Sequence, residues 1–247
     1  ISSSDNKIFE KAFGKIKKIH DLLSLHTPHS ELSQLNSSLN TNILLSAESI
    51  DVLKKSLELM KKSHSLFDIT IGGMLQKMNV IPTHPGQENR LNFGEIGDVV
   101  ISEIGCLLQR PITLTLDGVA KGYSVDLAYH SLIESGVEHG LINAGGDIRI
   151  FGDIQVPIYR REVNLEYSLL GHFKETSIAS SRTSMFKDEN FPGFIISKEA
   201  HECVEKIWTV SAKDACKADA LTKVAILASA HERNSIIASL GGEIVIR

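Results

Sequence analysis

Apolar residues recur at steps of three and four early in the chain: Ile8, Phe9, Phe13, Ile16, Ile19 and Leu23, with lysines between them. One face of a 3.6-residue helix collects that spacing, so the pattern predicts an amphipathic helix. A polar stretch, Ser24 to Asn42, follows and contains Ser30-Glu31-Leu32-Ser33-Gln34-Leu35-Asn36. Ser46 then reads as the N-cap of a second helix reaching about Ser63, with Ile50, Leu53, Leu57 and Met60 turned inward. Phe67-Asp68-Ile69-Thr70-Ile71-Gly72-Gly73 alternates as a short strand would and ends in two glycines. Residues 76–111 are rich in Gly, Pro and Asn, which predicts loops and one short element.

Beyond residue 111 the pattern sharpens. Ile112 to Leu116 alternates as a strand, Asp117-Gly118 turns, and Val119 to Ser135 reads as a helix stopped by Gly136. Leu141-Ile142-Asn143 predicts a strand, interrupted at Ala144-Gly145-Gly146 and resumed from Asp147 to Phe151. Short strands fall within 155–212. Helices from about Lys217 to Ser229 and from Ala230 to Leu240 precede a last strand, Glu243 to Ile246. Helices and strands intermix without the strict alternation of a doubly wound sheet, so the expected class is α+β. A length of 247 residues suits one large domain or two closely joined lobes, and a single domain over 1–247 is the expectation.

Composition narrows the choice of function. Hydrophobic residues make up 42% and charged residues 23%, the usage of an ordinary globular protein with a sizeable core. Nothing in the net charge of -4 suggests a nucleic-acid surface, and no lysine or arginine run is dense enough to make one. Lys15-Ile16-Lys17-Lys18 and Lys54-Lys55 fall on the polar faces of predicted helices. Cys106, Cys203 and Cys216 are too few and too scattered for a disulfide framework or a zinc site, and read as semi-buried thiols. No apolar run approaches bilayer length. The opening Ile1-Ser2-Ser3-Ser4-Asp5 carries no signal segment and reads like a mature or trimmed terminus.

Three short stretches carry candidate chemistry. In Leu116-Asp117-Gly118-Val119-Ala120-Lys121-Gly122-Tyr123-Ser124-Val125-Asp126 a strand ends in a tight turn and a helix starts at once. Backbone N–H groups at a helix start, with a lysine beside them, suit a phosphate. The same residues also make a plain strand-turn-helix in which Lys121 is solvated. In Asn143-Ala144-Gly145-Gly146-Asp147, two glycines inside a strand pattern mark either a hairpin bulge or a ligand lying close to backbone. Asp147 would then accept hydrogen bonds from a ribose or an amide. Ala218-Asp219-Ala220-Leu221-Thr222-Lys223 opens a helix. Asp219 there is favoured by the helix dipole alone, and is also an oxygen donor of the kind Mg²⁺ prefers.

Taken together these stretches resemble a known family. Glu31 to Asn36 is similar to SELSxLN, Phe67 to Gly72 to FDPTVG, and Leu116 to Asp126 to GGIAKGYAVD. Asn143 to Asp147 matches NAGGD, and Ala218 to Leu221 matches the opening of ADALAT. Five motifs in order, from about residue 20 to 240, resemble the ApbE-like FAD:protein FMN transferases. The resemblance implies an α+β, T-fold-related arrangement of mixed sheets with packed helices. It also implies FAD in a cleft, with Mg²⁺ between protein and pyrophosphate. A Ser or Thr hydroxyl of an acceptor protein then attacks the FMN-side phosphorus and AMP leaves. The protein's share of such chemistry is positioning and charge neutralisation. Carried over by position, the Ala120 carbonyl and the Asp219 carboxylate become metal ligands, with Asp219, Lys121 and Lys223 at the reacting centre. Glu31, Asn36, Asp68, Asp117, Gly118, Lys121, Asn143, Gly145, Gly146 and Asp147 line the flavin nucleotide site. The implied partners are FAD and the acceptor protein, with no nucleic acid. By the same analogy the protein is periplasmic, or tethered to a membrane as a lipoprotein through a segment outside this chain.

The departures from the pattern are specific. Lys223 stands where ADALAT places a metal-binding Thr, and at i+4 it reaches Asp219. Its ammonium then takes over part of the metal's charge and weakens Mg²⁺ binding. Phe194-Ile195-Ile196-Ser197-Lys198 is the counterpart of HxxDP, with Phe194 for His, Ser197 for Asp and His201 nearby. Ser181-Arg182-Thr183 replaces SGD. An alternative therefore stands beside transfer: a catalytically impaired homologue that binds FAD or another nucleotide as a carrier or assembly factor.

Overall fold

A computed structural model describes residues 3–162, 164–182, 195–196, 198 and 207–245. The chain forms two compact units: Ile1–Ile16, Lys121–Ile195 and Ala200–Arg247 make the first, Lys17–Ala120 and Ile196–Glu199 the second. Helix α1 (Ser3–Leu23) contributes residues to both.

The first unit is built on a five-stranded antiparallel sheet of β4 (Gly140–Ala144), β5 (Asp147–Phe151), β8 (Ser177–Arg182), β9 (Ile207–Ala212) and β10 (Gly242–Ile244). Their order is β10-β9-β8-β5-β4. A separate hairpin pairs β6 (Val156–Arg161) with β7 (Tyr167–Phe173). Strand β5 is buried along its whole length, because both of its faces are covered. Ile148 and Ile150 pack with Ile158 and Ile178 on one side. Phe151, pointing the other way, packs with Val125, Ala128 and Leu132 of α5 (Ala120–Glu134) and with Ala12 of α1. Side chains alternate along a strand, so Asp147 and Arg149 share Phe151's face. That alternation aims two charged residues at the helix layer. Helix α6 (Ala215–Leu227) lies against β8 and β9, and α7 (Arg233–Ser239) against β10 and α6.

The second unit holds a three-stranded sheet, β1 (Ile43–Leu44), β3 (Gly105–Leu108) and β2 (Val99–Ile101), in that order. With it come α2 (Glu31–Ser37), α3 (Ala47–Lys62) and α4 (Gly72–Lys77). Helix α3 starts where the pattern expects, with the Ser46 hydroxyl accepting the Ser49 N–H.

Four expectations change. The polar stretch after α1 contains α2, whose polar residues Ser33 and Asn36 are buried rather than solvated. Phe67 to Gly73 is not a strand: Gly72 and Gly73 begin α4, where a Cβ on Gly72 would sit 2.5 Å from the Thr113 carbonyl oxygen. Residues 76–111 hold a 3-10 turn (Ile96–Asp98), β2 and β3 besides α4's end, more than one short element. Ile112 to Leu116 is buried but, among the described residues, forms no strand. Its backbone is satisfied piecemeal instead. The Asn36 side chain accepts from the Leu114 N–H and donates to the Leu114 carbonyl, both at 2.8 Å. Thr115 N–H donates to Ile69 and Thr113 accepts from Gly72 N–H. Buried amides need partners, and these need not come from a ladder.

Cys106 and Cys216 are buried thiols, not disulfide-bonded, and burial pushes the Cys106 thiol up to about 11. Cys203 lies outside the described residues. Among the described residues no helix is long and apolar enough to cross a membrane.

Candidate functional site

The N-terminal turns of α5 and α6 are tied together. The Asp126 carboxylate, one turn into α5, accepts the Ala215 and Cys216 N–H groups, each at 2.8 Å. Asp214 caps α6 by accepting from Lys217 N–H. Burial raises the Asp126 carboxyl to about 6, although the two amide bonds pull it down. Gly122 sits at the crossing, where a Cβ would overlap the Ala215 carbonyl. Only glycine permits this approach, and it brings the Gly122 N–H within 3.4 Å of Asp219 Oδ2.

Asp219 is 1% exposed, in the second turn of α6. One turn later, the Lys223 ammonium forms an ion pair with Asp219 Oδ1 and donates to the Asp219 backbone oxygen at 3.1 Å. The i+4 spacing is thus realised as contact. Thr222 turns aside: its hydroxyl donates to the Asp219 carbonyl and meets Ser181 on β8 at 2.6 Å.

Strands β4 and β5 join through Gly145 and Gly146, with φ of 63° and 99°. Both lie in the left-handed region that a two-residue hairpin turn requires. The Gly146 N–H donates to Asn143 Oδ1 at 2.9 Å. Among the described residues nothing lies within 4 Å of where a Cβ on either glycine would stand, so these leave the turn's outer side open. NAGGD is therefore a regular two-residue hairpin turn rather than a bulge, with the register unbroken on either side.

Asp147 follows the turn and is 1% exposed. Its Oδ2 has no hydrogen-bond partner of good geometry, but Lys121 Nζ is 3.1 Å away as ion partner. Burial, and then the Asp219 charge, push its carboxyl up to about 7, while Lys121 and Lys223 oppose the rise. Asp147, Asp219, Lys121 and Lys223 therefore form one electrostatic cluster of two carboxylates and two ammoniums. Arg149, two residues along β5, stacks on Tyr129 at 4.6 Å and bonds the Lys213 carbonyl, fixing the approach to α6.

The remaining expected site residues have partners of their own. The Val119 and Ala120 N–H groups go to the Leu116 carbonyl and the Gly122 N–H to Asp219, so the amides expected to cradle phosphate are already engaged. Ala120 is the first residue of α5, just after the turn holding Asp117 and Gly118, and Asp117 N–H reaches Thr115 Oγ1 at 3.4 Å. In the second unit Glu31 accepts from the Ser46 N–H and hydroxyl at 2.9 to 3.1 Å, anchoring the start of α3. Asn36 clamps Leu114. Asp68 accepts from Thr70 N–H and hydroxyl at 2.7 Å, and Lys198 stands 3.0 Å from its other oxygen. Phe194, Ser197, His201 and Thr183 lie outside the described residues. Sequence reasoning missed the roles of Asp126 and Arg149. Asp126 closes the quoted motif, but its partners lie almost ninety residues away.

The donor set tests the Mg²⁺ expectation. A hard dication needs carboxylate oxygens facing it. Both Asp219 oxygens are taken, one by an ammonium and one by an amide. As arranged, Asp219 does not fit a magnesium ion. Among the described residues, Asp126, Asp214 and Cys216 group most like metal ligands, yet both carboxylates there hold the start of α6.

This α+β arrangement is shared with solved ApbE structures. The ApbE protein of Thermotoga maritima superposes with a TM-score of 0.78 at 18% identity, over 99% of this chain and 87% of its own. The flavin transferase ApbE of Vibrio cholerae does so with a TM-score of 0.76 at 19% identity, over 97% and 83%. The chain belongs to the ApbE family, whose sequence profile matches residues 1–246. Relatives named FAD:protein FMN transferase include one from Klebsiella pneumoniae, 25% identical over 61% of this chain and 51% of that protein. A second, from Vibrio cholerae, is 24% identical over 60% and 48%. The chain spans about half the length of these curated relatives.

Proposed function

We propose that this chain moves the FMN half of FAD onto a Ser or Thr hydroxyl of an acceptor protein, with AMP leaving. The observation that carries the reading is the Lys121–Asp147 and Asp219–Lys223 cluster beside the open Gly145-Gly146 turn. In the step, the hydroxyl oxygen bonds to the FMN-side phosphorus, the bond to the AMP phosphate breaks, and the hydroxyl proton passes to a base. The chain's task is to hold the diphosphate and meet its charge. Lys121 and Lys223 supply positive charge at that place, while the Gly145-Gly146 turn lets a nucleotide approach backbone. Asp147, with a carboxyl near neutrality, is suited to receive the proton. The magnesium of the family pattern would shield the same phosphates, but no step here is routed through it, because Asp219 is engaged by Lys223.

The test is incubation with FAD and an acceptor domain, with Mg²⁺ and with EDTA in parallel. Flavin fluorescence on the acceptor band in a denaturing gel, with stoichiometric AMP by chromatography, is expected. No covalent flavin and no AMP in either arm overturns transfer. The ion pair at Asp219 favours one second reading, a chain that binds FAD without turning it over. That reading predicts a rise in melting temperature with FAD but no AMP.

A further inference from the structure

We infer that the Lys223 ammonium is a built-in cation standing where a divalent ion would sit against Asp219, so that this chain binds the diphosphate of a dinucleotide without metal. The inference rests on the proposed nucleotide site and specifies how its charge is met.

Three observations carry it. First, Lys223 is 19% exposed and directed inward, with its ammonium on both a side-chain and a backbone oxygen of Asp219. An ammonium desolvated to this degree is retained only against a full counter-charge, and a second cation placed on the same carboxylate would meet its repulsion. Second, the neighbouring hydroxyl is turned away: Thr222 is held by the Asp219 carbonyl and Ser181. Among the described residues no ligand oxygen is seen to take the place of the threonine that the family pattern puts at position 223. Third, the cluster balances its own charge, with Lys121 on Asp147 and Lys223 on Asp219. Among the described residues it has no surplus of carboxylate for a dication to neutralise. Two ammoniums held on different elements, α5 and α6, are instead available to share an incoming diphosphate as point charges.

The experiment has two independent arms. In the first, Mn²⁺ is titrated into the apoprotein and unbound ion is followed by electron paramagnetic resonance. Wild type is expected to leave the Mn²⁺ signal unchanged, whereas Lys223→Thr, which restores a hydroxyl and removes the ammonium, is expected to bind the ion and lower it. In the second, FAD affinity is measured by calorimetry in EDTA and in Mg²⁺. The wild-type constants should agree within about threefold, while Lys223→Thr should bind at least about tenfold more tightly with Mg²⁺ than without. Stoichiometric Mn²⁺ binding by wild type, or a wild-type FAD affinity about tenfold weaker in EDTA, overturns the inference. If FAD binds under no condition, the proposed function fails, and the Mn²⁺ arm still decides whether Lys223 holds the cation position. Should Lys223→Thr not fold, Lys223→Gln replaces it, and the wild-type arms stand without either variant.

Discussion

Helices α3 and α6 use the same sequence device to opposite ends. On α3, Asp51 with Lys55 and Glu58 with Lys62 stand four residues apart, acid first, and α6 repeats the order with Asp219 and Lys223. On α3 the partners are about half exposed, at 51% and 46% for Lys55 and Asp51. On α6 they are 19% and 1% exposed. An exposed helix pair of this kind contributes only about 0.3–0.5 kcal/mol. Breaking a buried pair costs about 3–5 kcal/mol, because one charge is stranded without water. Spacing brings two side chains together, but burial decides whether the meeting matters. The same spacing is therefore a weak surface contact in one unit and a buried contact of the candidate site in the other.

The sharpest way to break this comparison is to remove the acid from each pair. Asp219→Ala should lose about 3–5 kcal/mol in urea unfolding, and Asp51→Ala under about 0.5 kcal/mol. Equal losses would mean that burial does not separate the two. A smaller effect follows from Asp147, whose carboxyl rises from 3.8 to about 7 on folding. The folded state then holds a proton that the unfolded chain has released. Its contribution to stability is fully present below about pH 4, shrinks as pH rises toward about 7, and stays flat above. Relative to wild type, Asp147→Asn should therefore gain most above neutrality, by a few kcal/mol at most, in melts across that range. Next comes Gly122→Ala, which drives a methyl into the Ala215 carbonyl and parts the α5 and α6 starts that enclose Asp219. It should cost about 1–3 kcal/mol, and lower the proposed flavin transfer beyond what the loss of folded protein accounts for. The smallest effect tests the exposed side. The few tenths of a kcal/mol lost in Lys55→Ala should vanish in about 1 M salt, where screening acts within ~3 Å.

What could be read from the chain beforehand divides along the same line, local against distant. Helix α3 was legible because Ser46 and the inward Ile50, Leu53 and Met60 are all local signals. The glycine turn before Asp147 was legible for the same reason, and so was the reach of Lys223 to Asp219. Helix α2 was hidden because its buried polar side chain, Asn36, finds its partner 78 residues away at Leu114. That partnership also disguised residues 112–116, whose alternation matches a strand although a side chain fills the ladder's place. Glu31 looks like a candidate ligand group in sequence, and Asp126 carries no role there beyond closing a motif. In the fold both hold helix starts whose amides they meet only after the chain has turned back.

The buried thiols give this protein a pair of internal clocks. Cys106 belongs to the second unit and Cys216 to the first, and both are shielded from solvent. Alkylation proceeds through an accessible thiolate: burial keeps the reagent from both sulfurs in the closed protein, and the raised Cys106 value also suppresses its thiolate. Each cysteine therefore becomes modifiable at the pace at which its own surroundings open. With Cys203 changed to serine, following the two adducts by mass spectrometry would time the breathing of each half separately, in one tube.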